Sequence, residues 1–100
     1  MKITHTDTNN LKVSALTEIT AANAAQIRDA IRAALQPAHQ VLDLDLSTVT
    51  FLDSSGLGVL VALHKTLRSR GGQVRLHNPT PNVLQVLELT RLHRIFDIVT

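Results

Sequence analysis

The stretch Leu42-Asp43-Leu44-Asp45-Leu46-Ser47-Thr48-Val49-Thr50-Phe51-Leu52-Asp53-Ser54-Ser55-Gly56-Leu57-Gly58 changes periodicity part-way along. At its start leucines alternate with aspartates, the two-residue period of a strand with one apolar and one wet face. A sheet covered on both faces would show unbroken apolar strands instead. At its end Asp53, Ser54 and Ser55 precede Leu57, Leu60, Leu63, His64 and Leu67, spaced as on one side of a helix. Any of the three polar residues could cap that helix by accepting a backbone hydrogen bond from its first turn. The helix is expected from Ser54 or Ser55 to about Arg70, where Gly71-Gly72 stops it.

Working outward, the same two patterns recur. Ile3 and His5 alternate with polar neighbours, and Leu11, Val13 and Ala15 do so after the turn signal Asn9-Asn10, which predicts a hairpin. Ala24, Ile27, Ile31, Ala34 and Leu35 predict a helix with Thr20 as N-cap and Pro37 beyond its end. Val74 and Leu76 mark a further strand. Thr80-Pro81 then opens a helix over Val83 to Leu89, and a short helical turn over Leu92 to Phe96 is expected to finish the chain. The order β-β-α-β-α-β-α defines an α/β fold. It predicts one domain over residues 1–100, with a mixed, mostly parallel sheet of four to five strands and helices packed on one face.

Composition narrows the function. One hundred residues support one modest core. Phe51 and Phe96 are the only aromatics besides histidine, which argues against base-stacking or sugar-binding platforms. The net charge is only +2, and its cations (Lys65, Arg68, Arg70, Arg75, Arg91, Arg94) are scattered, so no nucleic-acid partner is expected. The chain has no cysteine, which excludes disulfides and thiolate chemistry. The apolar run from Leu57 to Leu63, broken by Gly58, is far short of the ~20 residues that span a bilayer. The start at Met1-Lys2-Ile3 lacks a secretion signal. A cytoplasmic location without membrane insertion is the expectation.

Gly56 and Gly58 are the oddity. Each costs a helix roughly 1 kcal/mol relative to alanine, which implies a tight turn or a close approach to the backbone. Leu57, Val59, Leu60 and Val61 make the same turns apolar nearly all round, so this helix is either buried on several sides or presents aliphatic surface to a partner.

The run Asp53-Ser54-Ser55-Gly56-Leu57-Gly58 after an aliphatic strand resembles the motif Asp-Ser-Ser/Thr-Gly-Leu-Gly of STAS domains that serve as anti-sigma factor antagonists. The resemblance extends to the order of elements, to Gly71-Gly72, and to the tail Val83–Leu89 with Leu92 and Phe96. It implies a partner switch without a cofactor of its own. The unmodified antagonist would bind an HATPase-type serine kinase/anti-sigma protein. That kinase, carrying its own ATP, would phosphorylate Ser54 and be released, and a serine phosphatase would reset the site. Implied partner contacts are Asp53, Ser54, Ser55, Gly56, Leu57, Gly58, Glu18 and Thr20. In the family the loop before the first helix commonly reads Gly-Glu-hydrophobic-Asp; here it is Thr17-Glu18-Ile19-Thr20, which bears on the choice of kinase. A tail position that is commonly glycine is Arg91. The regulated output could equally be secretion or biofilm formation. The alternative is a STAS adaptor subunit that is not phosphorylated, for instance on a membrane transport complex.

Other chemistry is weaker. The five histidines (His5, His39, His64, His77, His93) show no metal-ligand spacing. Asp43 and Asp45 share one strand face but need no catalytic role there, and Ser54 lacks the Gly-x-Ser-x-Gly elbow of a hydrolase. No enzyme is expected.

Overall fold

A computed structural model describes residues 1–100. Seven strands and three α-helices follow in the order β1 (Lys2–His5), β2 (Asn10–Ser14), β3 (Glu18–Ile19), α1 (Ala24–Ala34), β4 (Val41–Asp45), β5 (Phe51–Leu52), α2 (Ser54–Arg68), β6 (Gln73–His77), α3 (Pro81–Leu89) and β7 (Asp97–Val99). A 3₁₀ turn, Leu92–Arg94, precedes β7. Five strands form one sheet in the order β1-β2-β4-β6-β7, antiparallel only between β1 and β2. The parallel neighbours are joined through α1, α2 and α3, the helical crossover that parallel pairing requires. This is the mixed, mostly parallel sheet that the alternating segments predict.

Alternation sorts the side chains as expected. Leu11, Val13, Leu42, Leu44, Val74 and Leu76 stand in register on one face, all at most 1 % exposed. Ile27 and Ile31 of α1, Leu60, Leu63 and Leu67 of α2, and Val83 and Leu87 of α3 close over them in a single core. The helices therefore cover one face of the sheet.

The uncovered face is more ordered than a merely solvated one. Across the strands Lys12, Asp43, Arg75 and Asp97 are register partners. Asp43 is 7 % exposed. Its carboxylate accepts Arg75 Nε and Nη2 at 2.6 and 3.0 Å and Asn10 Nδ2 at 3.3 Å, and it lies 2.8 Å from His77 Nε2. Burial alone would raise the pKa of Asp43, but the bonds to Arg75 and His77 outweigh it and hold the group below its ordinary value. Asp45 instead accepts the Ser47 N–H at 3.0 Å. The two aspartates thus have separate, structural roles.

Several local expectations change. Strand β2 stops at Ser14, and Ala15, expected inside it, turns the chain with φ 59°. Thr20 does not cap α1: its hydroxyl accepts the Ala22 N–H in a preceding turn, and Asn23 occupies the N-cap position. Helix α2 ends at Arg68, since the Gly72 N–H folds back to the Leu67 carbonyl at 2.8 Å around Gly71 with φ 76°. The chain does not finish on a helical turn. Asp97–Val99 adds an edge strand to β6, a segment too short for two-residue alternation to reveal. Thr80 does cap α3, accepting the Val83 N–H, with Pro81 in the first helical position.

Arg91 has φ 62°, the left-handed region that disfavours any residue with a Cβ. The glycine common at this point in the family that the sequence resembles would adopt this conformation without that cost. Arg91→Gly should therefore stabilise the domain by about 1 kcal/mol, read as a higher urea midpoint at unchanged slope. Leu44→Ala, at the centre of the core, should cost about 2–5 kcal/mol in the same measurement.

Candidate functional site

The motif occupies the amino-terminal end of α2, and one carboxylate organises it. Asp53, in extended conformation, is the N-cap: its Oδ1 accepts the Gly56 N–H at 2.9 Å. Its Oδ2 accepts the Ala21 N–H at 3.0 Å, from the loop after β3. These two bonds pull the pKa of Asp53 below its ordinary value of 3.8. Of the three residues that could cap the helix, the aspartate does so, leaving Ser54 exposed at the first helical position.

Two segments distant in sequence meet here. The short strands β3 and β5 pair in parallel, Glu18 with Phe51 and Ile19 with Leu52. The Asp53 N–H donates to the Ile19 carbonyl at 3.3 Å. Asn23 then fixes the loop from below, its Nδ2 donating to the Glu18 carbonyl at 3.0 Å and its Oδ1 accepting the Thr20 N–H at 2.9 Å. Glu18 is exposed and Thr20 half-buried beside the same helix end. All eight residues singled out from the sequence therefore lie in one region.

They divide by what holds them. A Cβ on Gly56 would meet the Ile19 carbonyl oxygen at 2.3 Å and Leu52 Cδ1 at 2.5 Å, so this glycine is required by packing. Gly58 is exposed, and a Cβ there meets nothing within 4 Å. Leu57 is half-buried against the core, and Ser55 is half-buried. Sequence reasoning missed three participants. Ala21 contributes only a backbone N–H, which no side-chain pattern encodes. Asn23 braces the loop where Thr20 seemed the polar residue of interest. Phe51, 56 % exposed, borders an apolar recess with Leu52, Val83 and Val86 directly before the motif; an aromatic outside the alternation was its one available signal.

The histidines lie elsewhere. His39 is buried and stacks on His5 with ring centroids 5.3 Å apart, and burial followed by the charges of His5 and Arg70 lowers its pKa. His64 packs edge-on to Phe96 and is likewise lowered, chiefly by burial. No helix is long and apolar enough to cross a membrane.

The chain is thus a small α/β domain with a half-covered mixed sheet and an exposed serine on a helix whose capping aspartate grips a neighbouring loop. The STAS domain model matches residues 2–100, and the chain belongs to that family. It is 31% identical over 98 residues to the anti-sigma-B factor antagonist of Listeria monocytogenes, covering 98% of this chain and 86% of that one. A crystal structure of a candidate anti-sigma factor antagonist from Thermotoga maritima superposes with a TM-score of 0.91 at 29% identity, covering 99% of this chain and 85% of that chain. The Bacillus cell fate determinant SpoIIAA, solved in its phosphorylated form, shares the fold with a TM-score of 0.77 at 23% identity, over 99% of this chain and 90% of its own.

The two glycines separate packing from propensity. Gly56→Ala should destabilise by about 1–3 kcal/mol, because the backbone of Ile19 must move. Gly58→Ala should stabilise by up to about 1 kcal/mol, through helix propensity alone. Chemical denaturation of both variants measures the contrast.

The pH dependence has a definite sign. Asp53, Asp43 and Asp45 all have lowered pKa values when folded, so their contribution is fully present above the unfolded value of 3.8 and is lost as pH falls below it. The melting temperature should thus decline in two stages as pH falls, first below about 6.5, where the buried His39 and His64 resist the protonation that the unfolded chain accepts, and again below about pH 4 as the carboxylates protonate. Asp53→Asn, which cannot titrate at this position, should flatten part of that decline in a pH series of thermal melts.

Proposed function

We propose that this domain is a phosphorylation-switched anti-sigma factor antagonist in the cytoplasm, with Ser54 as phosphoacceptor. The observation that carries this reading is the division of labour at the start of α2. Asp53 alone caps the helix and grips Ala21, while the neighbouring serine stands exposed and is not needed for the cap. Ser55, half-buried one residue on, is the poorer acceptor. The relation to anti-sigma-B factor antagonists supports the same role.

In its unmodified form the domain binds an HATPase-type serine kinase/anti-sigma protein and releases that protein's target. The contact surface comprises Asp53, Ser54, Ser55, Gly56, Leu57 and Gly58 together with Glu18 and Thr20. The backbone of Gly56 serves the internal approach to Ile19, while Gly58 faces the partner. Phosphorylation adds roughly −1.5 to −2 charge at neutral pH, which the positive end of a helix dipole accommodates. The fold therefore survives modification while the interface does not: charge and bulk arrive beside the Asp53 carboxylate, against whatever the partner presents. A loss of roughly 3–4 kcal/mol weakens binding by two to three decades. A serine phosphatase then restores the binding form. Threonines at positions 17 and 20, in place of the family's usual glycine and aspartate, alter the side chains beside this surface and bear on which kinase it accepts.

The test is intact-mass measurement after incubation with Mg-ATP and each HATPase-type kinase encoded beside this chain. One added phosphate is expected, retained in Ser55→Ala and absent in Ser54→Ala. Ser54→Asp should keep the wild-type circular dichroism yet bind the kinase roughly tenfold or more weakly. Transfer to Ser55, or neither binding nor transfer with any of these kinases, would sink the proposal.

A further inference from the structure

Gly58 has no role in the fold. Its φ lies outside the left-handed region, nothing lies within 4 Å of a Cβ placed on it, and it lowers helix stability by roughly 1 kcal/mol relative to alanine. It is also where two hollows meet. One, of about 400 Å³, lies between the start of α1 and the start of α2, and the other, of about 530 Å³, continues between the two helices toward their far ends. Both are lined by Gly58, the first also by Ala25 and Arg28, the second by Arg32, Ala62 and Lys65. The lining mixes the small residues Ala25, Gly58 and Ala62 with Val59 and Val61, and every charge along it is positive. Arg28 bonds Asp29 on its outer side at 3.1 Å, whereas Arg32 and Lys65 are exposed and form no ion pair. Compensation of helix dipoles explains a cation near each helix end. It does not explain an exposed glycine between them.

Resting on the switch reading, and extending it, we propose that the α1/α2 groove receives an acidic amphipathic helix of the kinase partner. The small residues of the lining let another helix approach closely, as in helix-in-groove recognition. Carboxylates on the flanks of the incoming helix face Arg28, Arg32 and Lys65, and such rim charges set association rate and partner choice more than affinity. The groove also gives phosphorylation a second lever. Ser55 lines its upper end, and a phosphate on the adjacent Ser54 brings like charge within screening distance of an acidic occupant.

The test uses the full chain, ¹⁵N-labelled, and a capped synthetic helix with a Leu/Ala stripe flanked by glutamates; a lysine-flanked counterpart is the control. Expected are amide shifts at Ala25, Gly58 and Ala62 that weaken with salt, and affinity roughly tenfold lower both in the double variant Arg32→Glu/Lys65→Glu and in Gly58→Leu. Circular dichroism and urea midpoints of both variants, expected to stay close to wild type, check that any loss reflects occupancy of the groove. Equal binding of the lysine peptide, shifts confined to other faces, or no shifts would overturn the proposal. The switch is scored separately. Kinase that phosphorylates Ser54 and binds the double variant as tightly as wild type removes the groove alone, whereas peptide held in the groove with no transfer to Ser54 removes the switch alone.

Discussion

The approach of the first turn of α2 to the backbone of Ile19 governs the geometry of the site. It requires a residue without a side chain at position 56, and Asp53 secures it by accepting N–H groups from both sides of the contact. Each of these bonds satisfies a donor that would otherwise point at solvent from a helix end or loop. Together they turn two loops into one surface. The paired two-residue strands β3 and β5 are too short to be stable alone, and they persist because α2 and α3 both pack on β5 while Gly56 of α2 abuts Ile19 of β3.

This arrangement leaves Ser54 outside the load of folding. The core is assembled by aliphatic side chains from the sheet and three helices, none of which includes Ser54. Ser54 is thus held by a rigid neighbour without contributing to that rigidity. A charge added there leaves the core untouched, so under the proposed switch it would act on association and not on the fold.

Much of this was legible in the residues themselves. Leu42, Leu44 and Leu46 against Asp43 and Asp45 gave the half-covered central strand, and Thr80-Pro81 gave the start of α3, because these patterns report local periodicity and capping directly. The edge strand Asp97–Val99 was hidden, since three residues cannot display a period and their strand conformation comes from pairing with β6. The exchange of Thr20 for Asn23 at the start of α1 is of the same kind. Both are capping types, but neither side chain caps the helix: Asn23 is spent on the Glu18 carbonyl and the Thr20 N–H of the preceding loop, a use that residue type alone does not announce. For the site, residue type named the motif, but spacing could not tell which of two glycines served packing and which faced outward. Only the position of Ile19 decides that.

The charged row on the open face of the sheet has a consequence for how the chain finds its alignment. Apolar alternation forbids a one-residue slip between neighbouring strands, because it would turn leucines outward. It is blind to a slip of two residues, which keeps every leucine inside. Asp43 is not blind to it: displaced by two positions, β6 would set either Gln73 or His77 where Arg75 now stands, and the paired bonds from Arg75 to the one carboxylate shielded from water would be lost. A buried carboxylate left without those partners is strongly disfavoured. The leucines thus choose the face, and the aspartate beneath the arginine counts the residues.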